Sequence, residues 1–227
     1  MKNKPFLITI VVIICLFSCF SCSDRKIKNR EYNEEEVITA AEKLIKKSEK
    51  VNEIYYGHGI SYYADESTAN GIYYQADFLS LERLGVDTID DIKALTYDCF
   101  TKSISEDMIS TTLGSVSDED GIQTMSRYYQ KYNALDNKPE CIMVNKNAIV
   151  YLTDNVVYDY SSIRVSRVEG DTVFVKIDVT VTTEEDKTQT QELEIGLYEE
   201  SDGWRLNSST YTKYVDKDYY NDLQNKK

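Results

Sequence analysis

Thr172-Val173-Phe174-Val175-Lys176-Ile177-Asp178-Val179-Thr180-Val181-Thr182 is the stretch that decides the fold. Val173, Val175, Ile177, Val179 and Val181 alternate with Phe174, Lys176, Asp178, Thr180 and Thr182. A period of two places one set on a buried face and the other in water, which is a half-buried β-strand. Glu169-Gly170-Asp171 turns into it from residues 163–168, and residues 184–187 turn out of it. Leu193, Ile195 and Leu197 continue the apolar face on the return. Ser201-Asp202-Gly203 turns again, and Trp204 and Leu206 begin a last strand. Trp204 is expected to be largely buried against Ile177, Ile195 or their neighbours. Upstream, residues 141–144 and 148–152 flank the turn-prone Asn145-Lys146-Asn147, which predicts a further hairpin. The whole reads as a C-terminal antiparallel meander, wet on one face and buried on the other.

Helices precede it and supply the cover. Residues 34–56 carry an apolar or small stripe at Val37, Ala41, Leu44, Ser48, Val51 and Tyr55, spaced by four and three. Asn33 is the expected N-cap, and Glu34, Glu35 and Glu36 put negative charge where the helix dipole favours it. Gly57 and Gly59 stop this helix. Residues 57–80 read as an aromatic loop holding a short strand over 72–78. A second helix is predicted over 89–100, with Thr88 and Asp91 as a capping box and Ile89, Ile92, Leu95 and Cys99 as its buried face. A third is predicted over 106–113 between Ser105 and Gly114, and residues 115–124 read as a polar loop. Helices first and strands second give α+β, with N-terminal helices packed on a curved C-terminal antiparallel meander. One domain spans residues 32–215, followed by a polar tail over 216–227.

The closing run Asp202-Gly203-Trp204-Arg205-Leu206, after a helical part and a meander, resembles the cystatin-like or nuclear-transport-factor-2-like lipoproteins of Gram-positive bacteria. The order of elements is also similar to that of secreted inhibitors of cell-wall DL-endopeptidases. Neither resemblance carries an active-site motif onto numbered residues of this chain.

The N-terminus fits such a setting. Lys2 and Lys4 precede an apolar run from Phe6 to Phe17, too short for a stable span of about 20 residues and suited to a signal-peptide core. Leu16-Phe17-Ser18-Cys19 resembles a bacterial lipobox, which implies cleavage after residue 18 and a lipid on Cys19. Cys22 also follows a serine, but a cysteine stands at its −3 position. An ordinary secretory leader is the main alternative; the polar cluster of Ser21, Ser23 and Asp24 that ends the apolar run speaks against a retained anchor. Residues 19–31 then form a tether in which Arg25, Lys26, Lys28 and Arg30 can lie against anionic lipid.

Loss of the leader leaves 24 basic against 39 acidic side chains and moves the net charge from −13 to −15. Such a body repels nucleic acid and anionic wall polymers, and attracts basic proteins or divalent cations. Cys99 and Cys141 are the two cysteines of the domain, open to a disulfide outside the cytoplasm or to burial as free thiols. One histidine and no Cys-x-x-Cys speak against zinc, and Asp118-Glu119-Asp120-Gly121 lacks the ligand spacing of an EF-hand. No Gly-x-Ser-x-Gly elbow is present to serve a catalytic histidine. No cofactor is expected.

Tyrosine is the compositional oddity, with 19 against 6 phenylalanines. Tyr55, Tyr56, Tyr62, Tyr63 and the lone His58 fall within nine residues, among glycines. Tyr55 completes the helix stripe. Tyr56, His58, Tyr62 and Tyr63 are the expected ligand-binding residues, because tyrosine gives contact area at low entropic cost whereas a buried hydroxyl needs a partner. The expectation is a non-enzymatic, lipid-anchored binding module at the outer face of the cytoplasmic membrane, taking a cell-envelope protein or a cell-wall fragment. An inhibitor or regulator of a cell-wall hydrolase, and a small hydrolase or isomerase with a pocket in a cone-shaped sheet, are the alternatives.

Overall fold

The structure, a computed structural model, describes residues 32–68, 71–113, 116–117, 123–124, 126–148 and 153–212. Cys19, the leader, the tether, Gly114, the Asp118-Glu119-Asp120-Gly121 run, all but the first residue of the strand expected over 148–152, and the residues beyond 212 with the polar tail lie outside the described residues.

The chain forms α1 (Glu34–Tyr55), β1 (Tyr62–Ser67), β2 (Tyr73–Ala76), α2 (Phe78–Leu84), α3 (Ile89–Tyr97) and α4 (Lys102–Leu113). There follow β3 (Val116–Ser117), β4 (Gln123–Thr124), β5 (Tyr128–Tyr132), β6 (Pro139–Asn145), β7 (Asn155–Glu169), β8 (Thr172–Thr182), β9 (Thr188–Glu200) and β10 (Gly203–Leu206). The architecture is α+β, with helices ahead of a strand-rich C-terminal part. The strands make two antiparallel four-stranded sheets, ordered β1-β2-β6-β5 and β10-β9-β8-β7, while β3 and β4 pair only with each other.

The meander is the second of these sheets. In β8 the five apolar residues are buried and the alternating set is half-exposed. They face α1, whose whole predicted stripe is buried, including Ser48. On the wet face Glu192 pairs with Arg164 and Lys176, and Arg167 pairs with Glu194 while its guanidinium lies 3.7 Å from the Phe174 ring centroid. Register shifts interrupt the β7–β8 ladder between Asp159 and Arg164 and between Val165 and Arg167. Bulges of this kind bend and twist the strand that carries them.

The expected hairpin over 141–152 is corrected. Residues 141–144 belong to β6 of the other sheet, where Tyr128–Tyr132 and Tyr73–Ala76 flank them. No local pattern marks β5, because Tyr-Tyr-Gln-Lys-Tyr does not alternate and grades from buried to exposed along its length. Residues 57–80, expected as a loop with one short strand, also hold β1 and the first turn of α2. Asp77 caps α2 by accepting from Leu79 N, and Gly85 closes it in the left-handed conformation. Helix α4 begins one turn earlier than expected. Ser105 lies inside it, buried, with its hydroxyl donating to Thr96 O and Phe100 O.

Asp202-Gly203-Trp204-Arg205-Leu206 is a clasp between the meander and two helices. Leu206 is fully buried, its N–H donates to Cys99 O and its carbonyl accepts from Thr101 N, both at 2.9 Å. Arg205 donates from Nε to Tyr97 O at 3.0 Å, a cation at the C-terminal end of α3. Trp204 lies on the core side with Leu206, but only half-buried. Its ring meets Tyr32 at 5.6 Å and its Nε1 approaches Glu36, in the first turn of α1. Trp204 does pack on the core cluster that holds Ile177, Ile195 and their neighbours, but the expected deep burial is corrected: β10 is the edge strand, and Trp204 stands opposite Glu199.

Two measurements follow. Leu206→Ala is expected to cost about 2–5 kcal/mol in denaturant unfolding. Trp204→Ala should cost less despite its larger ring, about 1–3 kcal/mol, because part of that ring already faces water. The reverse order would place Trp204 in the core. At α3, Asp91 accepts from Thr88 N, Thr88 Oγ1 and Asp87 N, and these bonds hold its carboxyl below the usual range. A depressed carboxylate contributes stability above its unfolded pKa and loses it as pH falls. Asp91→Ala should therefore cost about 1 kcal/mol near neutral pH. That difference should shrink as pH drops below about 4. A constant gap down to pH 2 would show that the charge is not what the cap uses.

Candidate functional site

The geometry of the site begins where α1 ends. A helix leaves its last carbonyls without intrahelical donors, and α1 has no basic residue in its last turn to meet them. Arg127 and Tyr128, at the start of β5, do so from more than seventy residues away. Arg127 donates to Tyr55 O at 3.0 Å and to Gly57 O. Tyr128 donates its hydroxyl to Ile54 O at 2.9 Å and accepts from Ile60 N at 3.2 Å. Arg127 is 8 % exposed, a buried cation compensated by carbonyl oxygens and by the negative end of the helix dipole.

This grip explains the glycines. Gly59 has φ +71°, and a Cβ there would lie 2.0 Å from the Tyr128 hydroxyl and 2.8 Å from an Arg127 nitrogen. Gly57 is buried too, with Glu53 backbone atoms at 3.1 and 3.2 Å from the place of its missing Cβ. The glycines serve close approach beneath the loop, and His58 between them is exposed.

Beside His58 opens a cleft of about 550 Å³. It is lined by Lys46, Glu49, Lys50, Asn52 and Glu53 of α1, by Gly57, by Thr153–Val156 and Tyr158, and by Tyr211. The strap of residues 207–212 is seated on α1 by Thr210, which is fully buried and contacts Ser48 Oγ at 2.7 Å and Asn52 Nδ2 at 2.9 Å. Tyr158 donates to Thr210 O at 2.9 Å, and burial pushes its phenol up, with Glu49 adding to the effect. Burial and a hydrogen bond to Glu49 raise Tyr160 likewise, and Lys46 sits 4.6 Å above the Tyr160 ring.

The expected binding residues divide between two places. His58 lines the cleft, and Tyr56 stands behind it, its ring 4.7 Å from that of Tyr211 and its phenol pushed up to about 12 by burial. Tyr62 and Tyr63 do not line it. They lie on β1, where Tyr62 packs on Tyr74 at 5.0 Å and the Tyr63 hydroxyl accepts from Phe78 N at 3.0 Å. The left-handed turn at Gly59 and the sheet hydrogen bonds of β1 carry these two residues away. Tyr55 is buried, its hydroxyl bonded to Thr96 Oγ1, as the helix stripe requires.

Lys50, Asn52, Tyr158 and Tyr211 complete the cleft and were not singled out in the sequence. Lys46, Glu49, Lys50 and Glu53 share one helical face beside the buried stripe, a signal that periodicity does contain. Tyr211 has none. Among the described residues, His58 makes no hydrogen bond to another side chain, and no three His, Cys, Asp or Glu side chains are grouped to hold a metal. Cys99 and Cys141 are free thiols: Cys99 is buried and its thiol pushed up to about 12, while Cys141 lies half-buried on β6. No protein-family model matches the chain, and no curated protein sequence matches it.

Gly59→Ala tests the grip. Overlap with Tyr128 and Arg127 together with the positive φ should cost about 2–4 kcal/mol. Gly71 has φ +65° and nothing within 4 Å of a Cβ, so Gly71→Ala should cost only the backbone strain, about 1 kcal/mol. Equal losses would mean that the approach of Tyr128 to Gly59 does not matter.

Proposed function

We propose that this protein is a non-catalytic binding module, held at the outer face of the cytoplasmic membrane by a lipid on Cys19, and that the cleft beside α1 receives a cell-wall fragment. The observation that carries the reading is the cleft itself: charged and aromatic side chains from α1, β7 and the 207–212 strap converge on a space of about 550 Å³, within the range of small-molecule sites. The end of α1 is held by the Arg127–Tyr128 grip and the strap by the Thr210 contacts, so these parts of its lining need little ordering on binding. The signal-like leader, the lipobox and the basic tether support the location.

The test has two arms. Cys19→Ala should release the protein into the medium or leave the leader uncleaved, whereas Cys22→Ala should stay with the membrane. In the second arm, the mature chain is sedimented with purified peptidoglycan stripped of its anionic polymers. Wild type should pellet, and a Tyr62→Ala/Tyr63→Ala variant should pellet with it. Lys50→Glu/His58→Ala should remain in the supernatant at an unchanged melting temperature. Wild type left in the supernatant, or equal pelleting of the Lys50→Glu/His58→Ala variant, overturns the reading.

A further inference from the structure

A strand edge and a short helix are joined at residues that do not line the cleft. The Tyr63 hydroxyl accepts from Phe78 N at 3.0 Å, Asp77 N donates to Ser61 O at 2.8 Å, and Ser61 N donates to Ser80 Oγ at 3.0 Å. These bonds fix the start of α2 against β1, the edge strand of its sheet. Both elements present apolar groups to solvent. Phe78 and Leu79 are 61 % and 68 % exposed, and Tyr62 and Tyr63 beside them are exposed as well. Single exposed apolar side chains are ordinary, but a group of them in a preformed place marks an interaction surface.

The rim of this surface is acidic and unspent. Asp65 and Glu66 follow the two tyrosines along β1. Glu82 lies one helical turn beyond Phe78, within about 6 Å on the same face of α2. All three are exposed, and none has an ion pair or a side-chain hydrogen bond among the described residues. Other acids of these layers are paired, Glu53 with Arg83 and Glu140 with Lys131. The rim selects the occupant. A second copy would set acid against acid, and an anionic lipid surface would meet the same repulsion. An apolar anchor flanked by lysine or arginine satisfies both the centre and the rim.

We propose that this surface docks a basic segment of a partner protein. An apolar side chain of that segment seats among Tyr63, Phe78 and Leu79, and its cations face Asp65, Glu66 and Glu82. The bonds from β1 to α2 hold the seat before the partner arrives, so little ordering is required on binding. The surface is separate from the wall-binding cleft, and either can stand without the other.

The probe is a fluorescein-labelled peptide with two leucines between runs of lysine, and its anisotropy is followed as the full mature chain, without its lipid, is added. Binding should be saturable. Replacing the leucines by serine should weaken it about tenfold or more. Phe78→Ser/Leu79→Ser should do the same at an unchanged melting temperature, since both side chains are exposed. Asp65→Lys/Glu66→Lys should lose a similar factor and should bind the peptide whose lysines are replaced by glutamate. Glu184→Lys/Glu185→Lys makes the same charge change at the exposed turn between β8 and β9, and should bind the lysine peptide as wild type does. The proposal is overturned if the serine peptide binds as well as the leucine one, if the two charge variants lose affinity alike, or if binding does not saturate at millimolar concentration. It is also overturned if wild type sediments as a dimer that Phe78→Ser/Leu79→Ser separates, or if vesicles of anionic lipid capture wild type in preference to that variant. The occupant would then be a second copy or a membrane.

Discussion

The end of α1 is the constraint on which much of the structure depends. Its terminal carbonyls must be met, and its own last turn contains no cation to meet them. Arg127 and Tyr128 supply the donors, and in doing so bind the first strand of a hairpin to the last turn of the first helix. Because Tyr128 also accepts from Ile60 N, the chain leaving the helix is fixed in the same act. The price is steric: only a residue without a side chain fits at Gly59. From there β1 is launched toward one sheet, and His58 is left at the mouth of the cleft.

The helices stand between two sheets. Helix α1 contacts β7, β8 and β10 of the meander, whereas α3 and α4 contact β5 of the other sheet. One continuous core joins them, with Val37, Ile45 and Val51 of α1 in the same cluster as Ile142 of one sheet and Ile195 of the other. Polar residues couple the layers at specific points. Gln130 of β5 accepts from Ile89 N at the start of α3, and Arg205 of β10 donates to the end of the same helix. Both satisfy helix termini that would otherwise be left with unpaired backbone groups.

The tyrosines serve three different ends. Tyr55 and Tyr128 are core residues whose hydroxyls reach specific partners, Thr96 and the carbonyl of Ile54. Tyr73 and Tyr129 meet edge to face at 4.8 Å on one sheet, with Tyr73 donating to Ser126 O. Tyr158 and Tyr211 stand at the cleft. An aromatic ring with a polar tip suits all three, so composition alone does not separate recognition from support.

Local pattern alone determined the elements whose burial repeats at a fixed period. The alternation of β8, the stripe of α1 from Val37 to Tyr55 and the Thr88–Asp91 box each depend on residues a few positions apart, so they are legible without tertiary knowledge. Tertiary structure decided the rest. It set which sheet received β6, because a strand's partner is chosen by packing between distant segments and leaves no local mark. It separated Tyr62 and Tyr63 from His58 despite their nearness in sequence, since a left-handed residue and a ladder of backbone hydrogen bonds redirect a chain within three positions. It brought Thr210 and Tyr211 onto α1, across more than 150 residues, to build the cleft. Side chains meet there through hydrogen bonds whose donors and acceptors have no fixed spacing, and a pattern without spacing cannot be read along a sequence.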